Sequence, residues 1–323
     1  MKRIAVFTSG GDAPGMNAAI RAVVRAGVYN QLEVFGIMRG YHGMIEDTFK
    51  PLVSRDVSNI IQQGGTILKT ARSKRFMTKA GRKEAYKNLL KNKIDAVVAI
   101  GGNGTFTGAQ IFEEEYNIPF IGIPGTIDND LSGTDYTIGY DTAINTVMQA
   151  LDKIRDTANA HNRLFFVEVM GRDAGFLALR SSISGGAEGV LIPEITTHLE
   201  ELHLYLENGF KQKKSSGIIV VAEGDKEGGA YEIARKVRKD FCDYDVRVTV
   251  LGHLQRGGSP TAFDRVTASK LGVAAVNALL KGESNVMLGT KCGQVVSVPF
   301  KTVIRKDKRI DQKLYELLTI LNY

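Results

Sequence analysis

The sequence predicts an α/β protein with two lobes, each a mostly parallel β-sheet covered by helices on both faces, and a ligand site in the cleft between the lobes. Short runs of β-branched and aromatic residues alternate with longer helical segments along the 323 residues, which is typical of parallel α/β sheets. The strand segments are apolar throughout, as expected when both faces of a sheet are covered. The chain is long enough for two domains.

The predicted elements follow this alternation in chain order. Strands are expected at residues 3–8, 33–38, 95–100, 119–123, 164–169, 217–222, 246–251 and 295–299. Helices are expected at residues 17–29, 83–91, 142–156, 199–211, 231–241 and 262–280. In sheets built this way, ligands bind beyond the carboxyl ends of the strands.

The boundary between the lobes is not marked by a low-complexity linker, and no internal repeat is evident. We therefore expect the chain to cross between the lobes more than once, near Gly139, near Leu251 and shortly after Phe300. These crossings give one lobe of residues 1–139 and 252–304 and another of residues 140–251 and 305–323.

The composition indicates an ordinary soluble globule, with 43% hydrophobic and 24% charged residues. The net charge of +7 suits anionic metabolites, and without a long basic block nucleic-acid binding is not expected. Cys242 and Cys292 are too few and too far apart for a disulfide framework or zinc site, and they suit a reducing cytosol. No segment has the length of a membrane span or a signal-peptide core, so we expect a cytoplasmic protein without membrane association.

The most informative segment is residues 124–130, Pro-Gly-Thr-Ile-Asp-Asn-Asp, directly after a predicted strand. Its carboxylates, Asp128 and Asp130, are two residues apart and can face the same way in an extended or turn segment. Such a pair at a strand's carboxyl end suits a base that activates a hydroxyl group, or a Mg²⁺ site. The alternative is a turn that only caps the next helix.

Two glycine-rich segments each lie between a predicted strand and a helix, at residues 8–17 and 100–105. Glycine lets the backbone approach a phosphate, and a helix N-terminus supplies amide donors and partial positive charge. Neither segment is a Walker A loop, because the Gly-Lys-Ser/Thr ending is absent. One such segment is readily explained as a tight turn, whereas two in one sheet indicate a polyphosphate site.

Cationic side chains accompany several predicted strand ends. Arg72, after the glycines at 64–65, would neutralise a transferring phosphoryl group, although a lone arginine is usually a solvated surface residue. Segments 170–173 and 251–258 follow two other strands, and arginines lie at the starts of those strands. We therefore expect a clamp for a sugar phosphate. Its candidate residues are Arg163, Arg172, Arg247, Arg256 and His253.

Two of the residues near these strand ends also have a plain structural interpretation. Glu223 ends the strand at 217–222, where it would bind sugar hydroxyls or pair with a nearby lysine. His253 is either a ligand of the sugar phosphate or a satisfied structural histidine.

Together these segments resemble the bacterial-type ATP-dependent 6-phosphofructokinase family. The matches keep the family's order and nearly its spacing over most of the chain, at residues 8–17, 64–72, 101–108, 124–130, 154–157, 169–173 and 252–260. The resemblance implies transfer of the ATP γ-phosphoryl group to the 1-hydroxyl of fructose 6-phosphate, a glycolytic step. It also implies a homotetramer with sites at subunit boundaries and an active site in the cleft between a nucleotide-binding lobe (1–139 and 252–304) and a sugar-phosphate lobe.

The resemblance assigns roles to individual residues. Asp128 takes the place of the general base, and Asp130 lies beside it at the reacting hydroxyl and metal. The moving phosphoryl group would be stabilised by Thr126, Arg72 and Arg172. The nucleotide positions are Gly11, Arg72, Ser73, Gly102, Asn103, Gly104, Thr105 and Gly108. The substrate positions are Thr126, Asp128, Asp130, Arg163, Met170, Gly171, Arg172, Glu223, Arg247, His253 and Arg256. Among these, Arg163 and Arg247 match a 6-phosphate clamp that reaches in from a neighbouring subunit.

The phosphoryl donor is indicated by two glycines. Pyrophosphate-using relatives carry Asp where Gly104 stands and Lys where Gly125 stands. A bulky charge at either position would fill space that the nucleotide needs, so ATP is the expected donor.

Two features depart from the family pattern. Asn103 stands where the metal-associated residue is normally Asp; alternatively it only shapes the loop, since Asn tolerates a left-handed backbone. The effector pattern for ADP or phosphoenolpyruvate is matched at Arg21, Arg25, Arg155, Glu188 and Lys214. Charges common in ADP-activated members are absent at Ser54, Asn59, Gln212 and Ser215. Fewer cations attract such an effector less, so weakened regulation is expected.

Three hypotheses remain at this point: an active sugar-phosphate kinase using ATP and Mg²⁺, a catalytically weakened metabolite-binding or regulatory subunit, and a lipid or NAD kinase. Asn103 alone supports the second, which is opposed by the intact Asp128, Asp130, Arg72 and Arg172. The segments around Arg172 and His253 argue against the third.

Overall fold

The computed structural model describes residues 1–161, 163–195, 216–240 and 245–321, and the chain forms two compact units. The first unit comprises Met1–Ile127, Leu131–Thr142 and Arg256–Lys308, and the second comprises Asp128–Asp130, Ala143–Gln255 and Arg309–Tyr323. The three crossings expected after residues 139, 251 and 304 lie a few residues before those found. The short piece 128–130, which groups with the second unit, was not expected.

The strands that the structure describes form two sheets. In chain order they are β1 (Arg3–Thr8), β2 (Glu33–Ile37), β3 (Phe49–Leu52), β4 (Ala96–Gly101), β5 (Phe120–Pro124), β6 (Arg163–Val169), β7 (Gly189–Leu191), β8 (Gly217–Ala222), β9 (Asp245–Val250), β10 (Val286–Lys291) and β11 (Gln294–Pro299). The first unit has the order β11-β10-β5-β4-β1-β2-β3 and the second has β7-β8-β6-β9. Only the edge strands β3 and β11 pair antiparallel, so both sheets are mostly parallel as predicted.

The helices of the described ranges are α1 (Met16–Tyr29), α2 (Gly40–Ile45), α3 (Lys79–Lys91), α4 (Asn103–Tyr116), α5 (Tyr140–His161), α6 (Phe176–Ser184), α7 (Ala230–Asp240), α8 (Ala262–Leu280), α9 (Phe300–Arg305) and α10 (Gln312–Leu321). Two short 3₁₀ turns lie at Arg75–Met77 and Gly252–Arg256. None of these helices combines the length and the apolarity needed to span a membrane.

Apolar side chains cover both faces of the seven-stranded sheet. Phe7 and Val97 point to one face, where they pack with side chains from α2, α3, α4 and α9. The opposite face carries α1 and α8, whose close contact is made at Gly272: a Cβ there would lie 2.5 Å from the Cβ of Ala22. Burial of this kind stabilises the fold by roughly 25 cal/mol per Å² of apolar surface.

The four-stranded sheet is also covered on both faces. Phe165 and Val167 pack among side chains from α5, α6 and α10. The alternate residues Leu164 and Phe166 pack against Ile233 and its neighbours on α7. This arrangement explains why β6 and β8 are apolar at nearly every position rather than at alternate positions.

All eight predicted strands are present, with ends within one residue of the prediction. Five of the six predicted helices are present, and the one expected at residues 199–211 lies outside the described residues. Strands β3, β7 and β10 and the helices α2, α4, α6, α9 and α10 were not among the predicted ranges, although a helix was expected to follow the glycine-rich segment 100–105.

Candidate active site

The two glycine-rich loops of the first unit lie side by side. They follow β1 and β4, which are parallel neighbours in the sheet. The N–H of Ser9 donates to the carbonyl of Ile100 at 3.0 Å, and the hydroxyl of Thr105 donates to the carbonyl of Ser9 at 3.4 Å. A Cβ at Gly101 would lie 2.6 Å from the same Ser9 oxygen. Glycine is therefore required at position 101 for the two loops to touch.

The N-terminus of α4 is open to a ligand. Gly102 precedes the helix in an extended conformation and supplies no side-chain cap. The next two residues, Asn103 and Gly104, are exposed, and a Cβ at Gly104 would meet nothing within 4 Å. Uncapped N–H groups at a helix N-terminus form a site for anions such as phosphate.

Asn103 lies in the first turn of α4, and its φ angle is not among the positive ones in the chain. Tolerance of a left-handed backbone therefore does not explain why Asn occupies this position. The exposed amide is instead placed beside the N–H groups where a phosphate would bind.

Thr105 and Gly108, two of the predicted nucleotide contacts, both adjoin the ring of Tyr41. The Tyr41 hydroxyl donates to the carbonyl of Thr105 at 2.6 Å. A Cβ at Gly108 would lie 3.0 Å from the Tyr41 ring. Both residues thus help to seat α4 on the core, whether or not either one touches a nucleotide.

Arg256, which was predicted as a sugar contact, ends the 3₁₀ turn Gly252–Arg256, and its side chain contacts the loop between β1 and α1. Its Nη1 donates to the carbonyl of Asp12 at 3.2 Å. The same Nη1 is 2.3 Å from where a Cβ at Gly11 would lie. Within the first unit, the guanidinium therefore lies beside Gly11, a predicted nucleotide position, and its contact with the sugar stays a prediction.

Arg72 is exposed near the same loop. Two residues before it, the hydroxyl of Thr70 donates to the carbonyl of Gly10 at 2.5 Å. One residue after it, the hydroxyl of Ser73 accepts from the N–H of Phe76 at 3.3 Å. The backbone on both sides of Arg72 is thus anchored, and Ser73 has a structural role at the start of a 3₁₀ turn.

The loop after β5 is fixed to its neighbours through the backbone. The N–H of Gly125 donates to the carbonyl of Gly101 at 3.0 Å, and the hydroxyl of Thr137 donates to the carbonyl of Thr126 at 2.6 Å. A Cβ at Gly125 would lie 3.0 Å from Ile100 and 3.1 Å from Met16. Glycine at 125 therefore has a packing reason in this chain, in addition to the space for a nucleotide that the sequence indicated.

Asp128 and Asn129 are buried, Asp130 is partly exposed, and Asn129 adopts a left-handed backbone with φ 52°. The next helix, α5, begins ten residues after Asp130, at Tyr140. The N–H of Thr142 in its first turn donates to Asp264. Capping of the next helix, the alternative interpretation of the two carboxylates, is therefore a role that Asp264 fills.

In the second unit, the predicted sugar contacts gather at the carboxyl ends of β6 and β8. The N–H of Arg172 donates to Glu223 Oε1 at 2.7 Å. Gly171 has φ 146°, and a Cβ there would lie 2.3 Å from the carbonyl of Ala174. Met170 completes the segment directly after β6. The structure thus brings together the residues that the sequence assigned to sugar binding at this edge.

His253 lies exposed just after β9, the other neighbour of β6. Gln255 is fully buried beside it: it accepts from the N–H of Met170 at 3.1 Å and donates to the carbonyl of Gly252 at 2.9 Å. Sequence reasoning missed Gln255, whose side chain ties the segment after β9 to the segment after β6.

Arg163 and Arg247 lie at the opposite end of the same sheet. Both bind one oxygen of Asp245, at 2.9 Å and 3.0 Å. The hydrogen bond from Arg163, and after it the one from Arg247, holds the pKa of Asp245 below its usual value. Strand β6 separates Arg163 from Met170 by about 20 Å at roughly 3.3 Å per residue. Within one chain Arg163 and Arg247 therefore lie far from the sugar contacts after β6, and a clamp shared with a neighbouring subunit stays a prediction.

The predicted effector residues fall into both units. Arg21 and Arg25 are four residues apart on α1, and partial burial, with the charge of Arg25, lowers the pKa of Arg21. Ser54 and Asn59 are exposed in the same unit. Lys214 lies outside the described residues, as do the predicted uncharged positions 212 and 215.

Arg155 and Glu188 form an ion pair in the second unit. Arg155 also donates to the carbonyl of Gly186, and Glu188 accepts from the N–H of Ile218 at 2.6 Å. The pair therefore joins α5 to the start of β8. This structural function exists without any effector.

The described ranges contain no group of three or more His, Cys, Asp or Glu residues that could hold a metal ion. Mg²⁺ does not require such a group, since it commonly binds through one or two carboxylates, water and substrate phosphates. The exposed Asn103 amide at the α4 N-terminus offers one oxygen where phosphates are expected. The donors present thus fit Mg²⁺ bound with a polyphosphate better than Mg²⁺ bound alone.

Asp264 is a buried carboxylate that the sequence did not single out. It is 0% exposed, and burial raises its pKa to about 6, although hydrogen bonds from Thr142 and Gly139 favour the charged form. No local motif marks it, because its partners are more than a hundred residues earlier in the chain.

Comparison with known proteins identifies the family. Residues 3–279 match the family model described as Phosphofructokinase. The chain belongs to the phosphofructokinase family. This phosphofructokinase-family chain is 56% identical over 322 residues to ATP-dependent 6-phosphofructokinase 2 of Bacteroides thetaiotaomicron, covering 100% of this chain and 99% of that protein. It is 58% identical to ATP-dependent 6-phosphofructokinase of Cytophaga hutchinsonii, covering 100% of this chain and 98% of that protein.

Solved structures of phosphofructokinases have the same architecture. The enzyme from Saccharomyces cerevisiae superposes with a TM-score of 0.89 at 35% identity, over 99% of this chain and 47% of that one. A pyrophosphate-dependent phosphofructokinase from Marinobacter aquaeolei gives a TM-score of 0.86 at 21% identity, over 99% and 91% of the chains, and this likeness shows the fold alone. The predicted α/β fold class with two domains is confirmed.

Proposed function

We propose that this chain is an ATP-dependent 6-phosphofructokinase, which transfers the γ-phosphoryl group of ATP to the 1-hydroxyl of fructose 6-phosphate. The products are fructose 1,6-bisphosphate and ADP. The proposal is supported by curated relatives of this name that are 54–58% identical along nearly the whole chain. The structural observation that carries it is the pair of adjoining glycine loops at the open N-terminus of α4.

The nucleotide phosphates bind along these two loops. The N–H groups at the start of α4 donate to phosphate oxygens, and the open space around Gly104 leaves room for the nucleotide. Gly11 and Gly102 allow close backbone approach. Arg72, on its anchored backbone, neutralises charge that develops on the γ-phosphoryl group.

Asp128 acts as the general base that removes the proton from the 1-hydroxyl of the sugar. A hydroxyl is a weak nucleophile, so proton removal as the bond to phosphorus forms lowers the barrier. Asp130, two residues further on, would lie beside the same hydroxyl and help to hold Mg²⁺. Thr126 and Arg172 complete the donors to the moving phosphoryl group, which requires positioning and charge stabilisation more than covalent chemistry.

The sugar phosphate binds at the carboxyl ends of β6, β8 and β9. Met170, Gly171, Glu223 and His253 contact the sugar, and the Arg172 backbone is fixed by Glu223. Arg163 and Arg247 bind the 6-phosphate of a site on a neighbouring subunit. Their position at the far end of β6 supports this, since one chain does not bring them to its own Met170. This assignment requires an oligomer with shared sites, and the family resemblance implies that the oligomer is a homotetramer.

Mg²⁺ accompanies ATP and neutralises charge on the phosphate oxygens. Asn103 and the carboxylates Asp128 and Asp130 are the residues that would hold it, directly or through water. The water-bridged form suits Asn, because Mg²⁺ releases its water ligands reluctantly. ADP or phosphoenolpyruvate would bind at the effector residues only weakly, and the enzyme works in the cytoplasm.

A coupled assay that crosses fructose 6-phosphate with ATP and with pyrophosphate tests the proposal. We expect turnover with ATP and Mg²⁺, and turnover with pyrophosphate lower by at least about 100-fold, the effect of roughly 2.7 kcal/mol in transition-state binding. Equal rates with both donors would overturn the donor assignment. Absence of turnover with either donor at saturating Mg²⁺ would overturn the enzyme assignment itself.

A further inference from the structure

Residues 137–142 form a short segment that touches the loop carrying the proposed catalytic residues. The N–H of Ile138 donates to the carbonyl of Pro124 at 2.9 Å, and Ile138 forms a parallel bridge with Gly125. The hydroxyl of Thr137 donates to the carbonyl of Thr126 at 2.6 Å. Three consecutive residues of the catalytic loop are thus held by two residues of this segment.

The same segment also packs under the loop between β1 and α1. A Cβ at Gly15 would lie 2.7 Å from Cγ2 of Ile138. A Cβ at Gly139 would lie 2.6 Å from the Cβ of Ala13, and Gly139 has φ 100°. Segment 137–142 therefore contacts two of the three loops proposed to bind the transferring group.

Asp264, at the start of α8, holds this segment from the other side. Its Oδ1 accepts from the N–H of Gly139 at 2.9 Å, and its Oδ2 accepts from the N–H of Thr142 at 2.9 Å and from the Thr142 hydroxyl at 2.5 Å. The carboxylate is completely buried. Buried carboxylates with three donors hold their partners rigidly, because releasing any one leaves a buried polar group unpaired.

A second layer fixes the Thr142 side chain in turn. Its hydroxyl oxygen accepts from the N–H of Thr261 at 3.0 Å, and the Thr261 hydroxyl donates to Asp141 at 2.6 Å. The N–H of Asp264 donates to the Thr261 hydroxyl oxygen at 3.2 Å. Asp141 and Thr142 of α5 therefore form one connected network with Thr261, the N-cap residue of α8, and Asp264 in its first turn. Thr142 is also the last residue of the first unit before Ala143 begins a piece of the second.

We propose that Asp264 is a positioning residue for phosphoryl transfer, which acts through segment 137–142 to hold the loop after β5 in its reactive place. The proposal rests on the kinase function proposed above. Asp264 touches no substrate. Its effect is exerted on Thr126 and on Asp128 two residues further along, where small displacements are costly because transfer requires close alignment of the reacting atoms.

The test uses variants of the whole enzyme. Asp264→Asn keeps the side-chain shape but turns one acceptor into an NH₂ group, which must then face the N–H of Gly139 or of Thr142. Thr142→Val removes only the hydroxyl, and Thr142→Ser restores it. A matched control is Asp95→Asn, since Asp95 also accepts from two backbone N–H groups, those of Lys2 and Arg3. These lie at the amino end of β1, whereas the loops follow the carboxyl ends of the strands.

We expect Asp264→Asn and Thr142→Val to lower kcat about 10-fold or more while KM for both substrates stays within about threefold, because alignment rather than binding is lost. Thr142→Ser and Asp95→Asn should retain near-wild-type kcat. Hydrogen exchange at residues 137–142 should become faster in the first two variants and not in Asp95→Asn.

Unchanged kcat in soluble Thr142→Val and Asp264→Asn, or a rise in KM at constant kcat, would overturn the positioning role. So would a loss that Thr142→Ser does not restore. If Asp264→Asn does not fold, the Thr142 pair decides alone. If the wild type itself does not phosphorylate fructose 6-phosphate, the proposed function fails, and the exchange rates at 137–142 still decide whether Asp264 holds the segment.

Discussion

The guanidinium of Arg256 occupies the space that a side chain at Gly11 would enter, with Nη1 2.3 Å from the position of a Cβ. The two residues are 245 apart in sequence, and the contact fixes the loop between β1 and α1 through the bond from Arg256 to the carbonyl of Asp12. Glycine at position 11 is thus needed for the arginine, in addition to the phosphate contact proposed for it.

The variant Gly11→Ala should displace the Arg256 side chain, since a flexible side chain moves more readily than backbone. We expect Gly11→Ala and Arg256→Ala each to raise KM for ATP, with a smaller effect on KM for fructose 6-phosphate. The double variant should be no worse than the poorer single variant, because both changes break one contact. Steady-state kinetics of the three variants give the answer; additive effects would show that the two residues act separately.

Asp128→Ser should remove most turnover while fructose 6-phosphate still binds. The base acts in the transition state and contributes little to binding in the ground state. Loss of a general base typically costs about 10²–10⁴-fold in rate. Turnover and sugar-phosphate binding, measured separately, check this. Near-wild-type kcat would sink the assignment of Asp128 as base.

Arg163→Ala and Arg247→Ala should raise KM for fructose 6-phosphate more than they lower kcat, since each removes a charged hydrogen bond of roughly 1.5–3 kcal/mol. If the clamp serves a neighbouring subunit, hybrids of Arg163→Ala and Asp128→Ser chains should recover activity in sites that combine one intact clamp with one intact base. Hybrids of Arg163→Ala with Arg247→Ala are the matched control: every clamp there lacks one arginine, so no recovery is expected. Equal recovery in both mixtures would contradict shared sites.

The sequence predicted the parallel strands well because most of them, such as β4 and β8, are continuous apolar runs, and even β9 keeps its β-branched residues. It missed β3, whose Lys50 and Pro51 break the apolar pattern; the structure tolerates Pro51 because β3 is an edge strand. It also placed Arg163 and Arg247 correctly at strand starts, although it grouped them with residues that follow the other ends of the same strands.

The network around Asp264 was beyond local sequence reasoning for a different reason. Gly139 and Thr142 contact a carboxylate more than 120 positions later in the chain. No spacing rule links them, because the contact depends on how α8 packs against the start of α5. Long-range polar networks of this kind become visible only when the fold is known.

The stability of the protein should depend on pH through Asp264. Burial raises its pKa from 3.8 to about 6, so the folded state binds a proton more tightly than the unfolded chain. The stabilisation from that proton is complete below about pH 4 and is lost as pH rises through about 6, a change of ~3 kcal/mol. As pH rises from 4.5 to 6.5, the melting temperature of the wild type should therefore fall relative to that of Asp264→Asn. At higher pH the difference between the two should stay constant. A difference that is independent of pH would contradict the raised pKa.

Asn103 provides the last prediction. Its exposed amide lies in the first turn of α4, where the phosphates are proposed to bind, and a neutral carbonyl holds Mg²⁺ less strongly than a carboxylate. If the side chain binds the metal, kcat should be lowest in Asn103→Ala, intermediate in the wild type and highest in Asn103→Asp. The Mg²⁺ concentration that gives half the maximal rate should follow the opposite order. Melting temperature does not discriminate, because Asp at a helix N-terminus is stabilising by about 0.3–1 kcal/mol even without metal. Mg²⁺ titrations of the three proteins at saturating ATP and fructose 6-phosphate provide the measurement. Identical titrations would mean that the metal is held by the phosphates with Asp128 or Asp130, and that Asn103 takes no part in its binding.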